Sequence, residues 1–189
     1  VLGGQSMNPS TKQIIDCAKS LGAENIFILP NNKNVYLVAA QAAEELGENV
    51  RVIPSNSVPA GISAMMSFDP EAEADDNFSA MTEAASAVKS LTVTRAVRDC
   101  DIDGLNIAKD NYMGLVNGKI KCVAESSLEC LKQLSTVSES ENFTVFIGSD
   151  VSEDTASKAA DTIIGVVPDA EVTVLIGGQP LYDFVIMAD

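Results

Sequence analysis

In the first half of the chain, apolar residues recur with two periods, and polar residues mark where each run stops. Ile14, Ile15, Ala18 and Leu21 fall at helical spacing, the buried stripe of an amphipathic helix. Asn8 stands before it as N-cap with Pro9 as first helical residue, and Gly22 closes it. Residues 26–29, Ile-Phe-Ile-Leu, form a short continuous apolar run, which predicts a strand covered on both faces. Pro30 ends it, having no N–H to give to a ladder. After Asn31-Asn32-Lys33-Asn34, Val35, Val38, Ala39 and Ala42 return to helical spacing, and this helix stops at Gly47.

The alternation repeats. Residues 50–53, Val-Arg-Val-Ile, predict a second strand, again ended by a proline, Pro54. Ser57 caps a helix running through Pro59 to Phe68. Asp69-Pro70 repeats the cap-plus-proline signal and predicts a long helix over 70–90, with Ala74, Phe78, Met81, Ala85 and Val88 as its buried stripe. Glu71 and Glu73 would lie in its first turn, where the helix dipole favours them. The pattern expected here is a parallel sheet of βα units of one kind, stacked side by side.

The texture then changes. Residues 91–98 alternate as a half-buried strand. Residues 112–116 and 119–123 flank Asn117-Gly118, the strongest short hairpin signal available. A short helix over 126–134 aligns Leu128, Leu131 and Leu134, and residues 143–147 predict a strand. Asp150 or Ser152 caps a helix to about Val166, and strands follow at 172–176 and 184–187. The fold class is α/β in two parts: a parallel βα subdomain over 1–91 and a mixed α+β subdomain over 92–189.

Charge narrows the function. The 189 residues carry 27 acidic and 12 basic side chains, a formal net charge of −15. Such a surface repels phosphates, which argues against nucleic acid and anionic membranes as partners. It reads as solubility, or as an acidic docking face for a basic partner. There is no histidine, so the usual neutral-pH general base, the commonest metal ligand and any Ser-His-Asp or Cys-His arrangement are missing. Cys17, Cys100, Cys122 and Cys130 show no CxxC pairing and read as reduced, mostly buried apolar residues. No run is long enough to span a membrane and no signal peptide is visible, so the expected compartment is the cytoplasm. The chain starts at Val1 without a methionine, with strong α/β signals almost at once, and reads as a piece of a longer protein.

Several motifs carry candidate chemistry. In parallel α/β folds, ligands and partners meet the loops beyond the carboxyl ends of the strands. Asn31-Asn32-Lys33-Asn34 would sit there beside free N–H groups of a helix start, as an anion-holding loop or as a solvated cap. Gly3-Gly4-Gln5 and Gly177-Gly178-Gln179 are similar to the Gly-Gly-Gln of translation release factors. That chemistry needs a basic, RNA-binding surface, so the glycines read as backbone devices. Asp99, Asp101, Asp103 and Gly104, with Asp110 beyond, nearly match a calcium loop, but position twelve lacks its glutamate and the flanks are strands. An aspartate-rich turn is the expected role. Met65, Met66 and Phe68, at helical spacing, read as core in preference to a lipid groove.

Taken in order, GGQSMNPST (3–11), ILPNNKN (28–34), RVIPSNSVPAGISAM (51–65), FDPEAEADDN (68–77), VTRAVRD (93–99), Asp103-Gly104 and GGQPLY (177–182) carry a resemblance over essentially the whole chain. It resembles the C-terminal region of the dihydroxyacetone-kinase-like protein that forms the kinase subunit of bacterial fatty acid kinase. The resemblance implies a fold similar to DegV proteins and to the substrate domain of dihydroxyacetone kinase. It implies an upstream kinase domain that uses ATP and magnesium, and a separate DegV-like protein that carries the fatty acid. The kinase would phosphorylate the bound carboxylate to an acyl phosphate for phospholipid synthesis.

With no histidine to hold a substrate covalently and the ATP-binding part upstream of Val1, no catalytic residue, metal or cofactor is expected in this chain. The expected role is to dock the fatty-acid-binding partner; the alternative is a small-molecule domain for a lipid or anionic ligand. Candidate ligand- or partner-binding residues are Ser6, Asn8, Asn31, Asn32, Lys33, Asn34, Arg95, Arg98, Gln179 and Tyr182.

Overall fold

The computed structural model describes Val1, residues 8–102 and residues 104–189; the Gly3-Gly4-Gln5 motif, Ser6 and Asp103 lie outside the described residues. The chain divides into two compact units, Val1–Val88 and Lys89–Asp189.

The first unit holds α1 (Thr11–Leu21), β1 (Ile26–Ile28), α2 (Lys33–Leu46), β2 (Val50–Val52), α3 (Val58–Met66) and α4 (Ala74–Ala87). The N-cap of α1 is Ser10, not Asn8. Ser10 Oγ accepts the Gln13 N–H at 3.3 Å while Gln13 Oε1 accepts the Ser10 N–H at 2.8 Å. This reciprocal box satisfies two terminal donors at once, which the Asn8-Pro9 signal cannot match. Ile14, Ile15 and Ala18 form the buried face. Leu21 does not join it: as the last helical residue, before Gly22 in the left-handed conformation (φ 61°), it is 62% exposed.

β1 and β2 pair in parallel, Ile26 opposite Val50 and Ile28 opposite Val52. Both strands are only half-buried, not covered on two faces as the apolar run suggested, because among the described residues they form a sheet of two. The stack of like βα units therefore stops here. Ile14 and Ile15 pack with Ala39 and Ala42 of α2, and Ile28, Val38, Leu46 and Val52 close around them. Small alanines let the two helices approach closely.

The fourth helix starts at Ala74, not at Pro70. The Asp69 carboxylate accepts the Glu71 N–H at 2.9 Å, a local turn that competes with helix. Buried Asn77 then locks that turn, accepting the Asp69 N–H at 2.8 Å and donating to the Asp69 and Ala72 carbonyls at 2.7 and 3.3 Å. Glu71 and Glu73 thus precede the first turn, which holds Asp75 and Asp76 instead. Met81 and Ala85 form its buried face. The Ser63 hydroxyl of α3 donates to the Ala84 carbonyl of α4 at 3.0 Å. Arg51 of β2 reaches Asp75 with Nη2 at 2.6 Å and Nε at 3.1 Å.

The second unit holds β3 (Lys89–Arg95), β4 (Cys100–Ile102), β5 (Leu105–Ile107), β6 (Tyr112–Val116), β7 (Lys119–Ala124), α5 (Ser127–Ser138), β8 (Asn142–Ile147), α6 (Glu153–Ser157), α7 (Ala159–Ile164), β9 (Glu171–Ile176) and β10 (Tyr182–Ala188). Six strands form one sheet in the order β7-β6-β3-β10-β8-β9, antiparallel throughout except β8 with β9. The hairpin at Asn117-Gly118 forms as the dipeptide requires, with φ 49° and 78°. The Asn117 side chain also accepts the Ser90 N–H at 2.9 Å.

Leu91 and Val93 of β3, Phe143 and Val145 of β8, Phe184 and Ile186 of β10, Leu131 and Leu134 of α5 and Ile163 of α7 make a core almost sealed from solvent. The first strand of the unit ends at Arg95 and does not continue to Arg98, because β4 and β5 fold as a separate two-stranded hairpin. The predicted helix to Val166 is broken at Lys158 into α6 and α7, each end capped by its own local bonds. Among the described residues no helix is long and apolar enough to cross a membrane.

Candidate functional site

In the first unit the sequence-marked loop is a self-contained cap. Asn32 is the N-cap of α2, and its Oδ1 accepts the Asn34 N–H at 2.9 Å. The Val35 N–H bonds the Asn32 carbonyl at 3.0 Å. Lys33 and Asn34 are exposed, as is Asn8 before α1. Asn31 differs from its neighbours. It takes the left-handed conformation (φ 54°), its N–H donates to the Ser55 hydroxyl at 3.2 Å, and its side-chain oxygen is buried without a hydrogen-bond partner.

The reason for that burial is α3. Gly61 faces Asn31 so closely that a Cβ there would lie 2.0 Å from Asn31 Oδ1. The two residues wall an open apolar groove of about 400 Å³ with Leu29, Ile62, Met65 and Met66. Ser57 caps α3, its hydroxyl accepting the Ala60 N–H at 3.3 Å, and Pro59 lies in the first turn. Along the helix Val58, Met65 and Met66 are 52%, 55% and 75% exposed. The reading of Met65, Met66 and Phe68 as core is therefore overturned. Helical spacing identifies a common face, and here Ala60 and Ala64 fill the inward one. Phe68 keeps an edge contact with Phe27, ring centroids 6.1 Å apart, while remaining 39% exposed. Exposed methionines make a polarizable surface that moulds to an apolar partner.

In the second unit, Arg95, Gln179 and Tyr182 come together around the junction of β3, β8 and β10. Tyr182 pairs with Thr94, whose hydroxyl donates to the Leu181 carbonyl at 2.7 Å. Gln179 is structural: its amide donates to the Phe146 carbonyl at 2.8 Å. Gly148 lets the chain pass, since a Cβ there would lie 2.1 Å from the Tyr182 carbonyl oxygen. Arg95 pairs with Asp110 at 3.1 Å, both exposed, so the pair contributes at most about 1 kcal/mol. Arg98 stands apart, exposed in the bend before β4.

Asp183, which sequence reasoning missed, is half-buried at this junction. Burial pushes its carboxyl pKa up; a hydrogen bond with Ser127 and the nearby Arg95 guanidinium oppose the rise, and Asp150 adds to it. No spacing signal marks Asp183, because Ser127, Asp150 and Arg95 reach it from three other elements. Asp99 is spent locally, its carboxylate accepting the Lys109 N–H at 2.6 Å in the aspartate-rich hairpin. Among the described residues no three His, Cys, Asp or Glu side chains gather as metal ligands. The side chains present do not fit a nucleotide-bound magnesium, and no chemical step is derived through one.

The FakA-like C-terminal family, a family of fatty acid kinase domains, matches residues 1–189. Protein YloV of Bacillus subtilis is 40% identical over 190 residues, covering 99% of this chain and 34% of its own length. An uncharacterized protein of Staphylococcus aureus strain USA300 is 38% identical over 187 residues, with coverages of 97% and 34%. The chain thus spans about a third of the length of the curated relatives it matches. Among solved structures, a DegV family protein from Corynebacterium glutamicum aligns with a TM-score of 0.69 at 13% identity, over 96% of this chain and 82% of that one. The Streptococcus pneumoniae fatty acid kinase B3 protein, loaded with linoleic acid, aligns with a TM-score of 0.65 at 16% identity, over 95% and 75%. The dihydroxyacetone kinase of C. freundii aligns with a TM-score of 0.68 at 12% identity, over 96% and 41%. These structures share the mixed α/β fold with this chain.

Proposed function

The chain belongs to the FakA-like family of fatty acid kinase C-terminal domains, and we propose on that footing that it docks a DegV-like protein carrying a fatty acid. A kinase domain elsewhere in the parent protein, using ATP and magnesium, then phosphorylates the bound carboxylate to an acyl phosphate for phospholipid synthesis in the cytoplasm. Holding donor and acceptor together makes such a transfer effectively intramolecular, which alone supplies much of the rate gain.

The observation that carries this reading is the exposed apolar face of α3. A chain with a formal charge of −15 nevertheless leaves Val58, Met65, Met66 and Phe68 in water beside a groove. Interface cores favour methionine and aromatic residues and exclude charge. The test is calorimetric titration of a purified fatty-acid-loaded DegV-like protein into the chain. Heat and a complex are expected, and Met66→Glu should weaken it at least about tenfold. No complex, or one indifferent to Met66→Glu, contradicts the reading.

A second reading, in which the groove takes a small amphipathic ligand directly, is favoured by the buried acceptor of Asn31, which a ligand N–H or O–H would satisfy. Native mass spectrometry separates the two: a bound small molecule on the purified chain supports the second, a bare chain the first.

A further inference from the structure

The outer edge of β9 is a surface the docking reading leaves unused. β9 ends the six-stranded sheet and pairs on one side only, with β8. In a parallel ladder, alternate residues turn both N–H and C=O to the same neighbour. The Glu171 N–H bonds the Glu141 carbonyl at 2.8 Å and the Gly177 N–H bonds the Ile147 carbonyl at 3.0 Å. Odd-numbered residues of β9 therefore face β8, and Val172, Val174 and Ile176 aim their backbone groups outward. Exposure along the strand is high, 37% at Val174, 45% at Leu175 and 95% at Ile176. Edge strands are ordinarily guarded by lysine, proline, a bulge or a covering segment. From Val172 to Tyr182 no side chain carries a charge, and Glu171 is the one charged residue of the strand itself.

We propose that this edge pairs with the same edge of a second copy of the chain, antiparallel about a two-fold axis. The charge distribution selects that occupant. Two chains of formal charge −15 repel over most of their surfaces, and an uncharged strip is where they approach at least cost. A row of N–H and C=O groups matches its own two-fold image and needs no counter-charge, whereas a basic partner finds nothing there to pair with. The six residues of β9 make a ribbon about 20 Å long. That is short of the roughly 800 Å² per partner of a standard interface, so the dimer is weak and concentration-dependent. Screening the mutual repulsion with salt strengthens it, opposite to an ionic complex. This proposal concerns the second unit and stands whether or not the α3 groove docks a carrier.

Sedimentation equilibrium over a wide concentration series tests it. The unmodified chain is expected to pass from monomer to dimer, more readily at high salt. Val174→Pro removes an outward N–H without touching the β8 ladder and should weaken dimerisation about tenfold or more. Val174→Lys should do the same by placing like charges across the axis, with circular dichroism unchanged. Where either variant misfolds, amide hydrogen exchange on the unmodified chain decides. The Val174 and Ile176 amides gain protection as concentration rises, while Thr173 and Leu175, already bonded to β8, change little. A chain monomeric at every concentration, a dimer that survives Val174→Pro, or one that weakens with salt overturns the proposal.

Discussion

The two units use apolar side chains in opposite ways. The second buries them: Leu91, Val93, Val145, Phe184 and Ile186 lie on neighbouring strands at 0% exposure, under helices that supply Leu131, Leu134 and Ile163. The first leaves several outside. Its two-stranded sheet is half-buried, its packed helices meet through alanine, and α3 shows solvent a methionine face. A sheet of six with a sealed core is a source of stability, and a thin unit with an exposed groove is a place for contacts. Each unit follows from its residues: β-branched and aromatic alternation in the second, alanine and methionine in the first.

The comparison breaks most visibly in the core of the second unit. Phe184 is fully buried at the centre of the sheet, so Phe184→Ala should cost about 3–5 kcal/mol, read by urea denaturation. Gly148→Ala should cost about 1–3 kcal/mol in the same assay, because a new Cβ meets the Tyr182 carbonyl, backbone that cannot turn aside. In the first unit, Ser57→Ala removes the cap of α3 and should cost about 1 kcal/mol. Met66→Glu, on the exposed face, should shift stability by no more than about 0.5 kcal/mol. A large loss there would mean the face is core after all.

Asp183 adds a dependence on pH. Burial holds its native pKa above its unfolded value, so the folded chain binds this proton more readily than the unfolded one. The carboxyl therefore destabilises the fold at pH above its native pKa, and the penalty is relieved as pH falls through that value. Asp183→Asn should remove this contribution from the dependence of stability on acidic pH. An unchanged profile would show the group to be fully solvated.

Much of this fold was legible in the sequence, because the informative signals are local. Asn117-Gly118, Ser57 before α3, Gly22 after α1 and the prolines ending β1 and β2 act within a few residues of themselves. What failed depended on neighbours distant in sequence. The helix at Ala74 starts late because buried Asn77 ties back to Asp69 and Ala72. Met65 and Met66 share a helical face, but periodicity cannot say which face is inward when Ala60 and Ala64 also compete for it. The candidate sites divide in the same way. Asn31 and Arg95 were visible as polar residues at strand ends, whereas Asp183 gains its environment from Ser127, Arg95 and Asp150, none of them near it in the chain.

The central claim is that α3 presents a docking face while the six-stranded sheet supports the fold. Amide hydrogen exchange of the chain, with and without a fatty-acid-loaded DegV-like protein, tests it most directly. The account predicts new protection concentrated over α3 and residues 66–68, with the β3, β8 and β10 amides unchanged from their already slow exchange. Protection confined to the second unit, or no change anywhere at saturating partner, would contradict it.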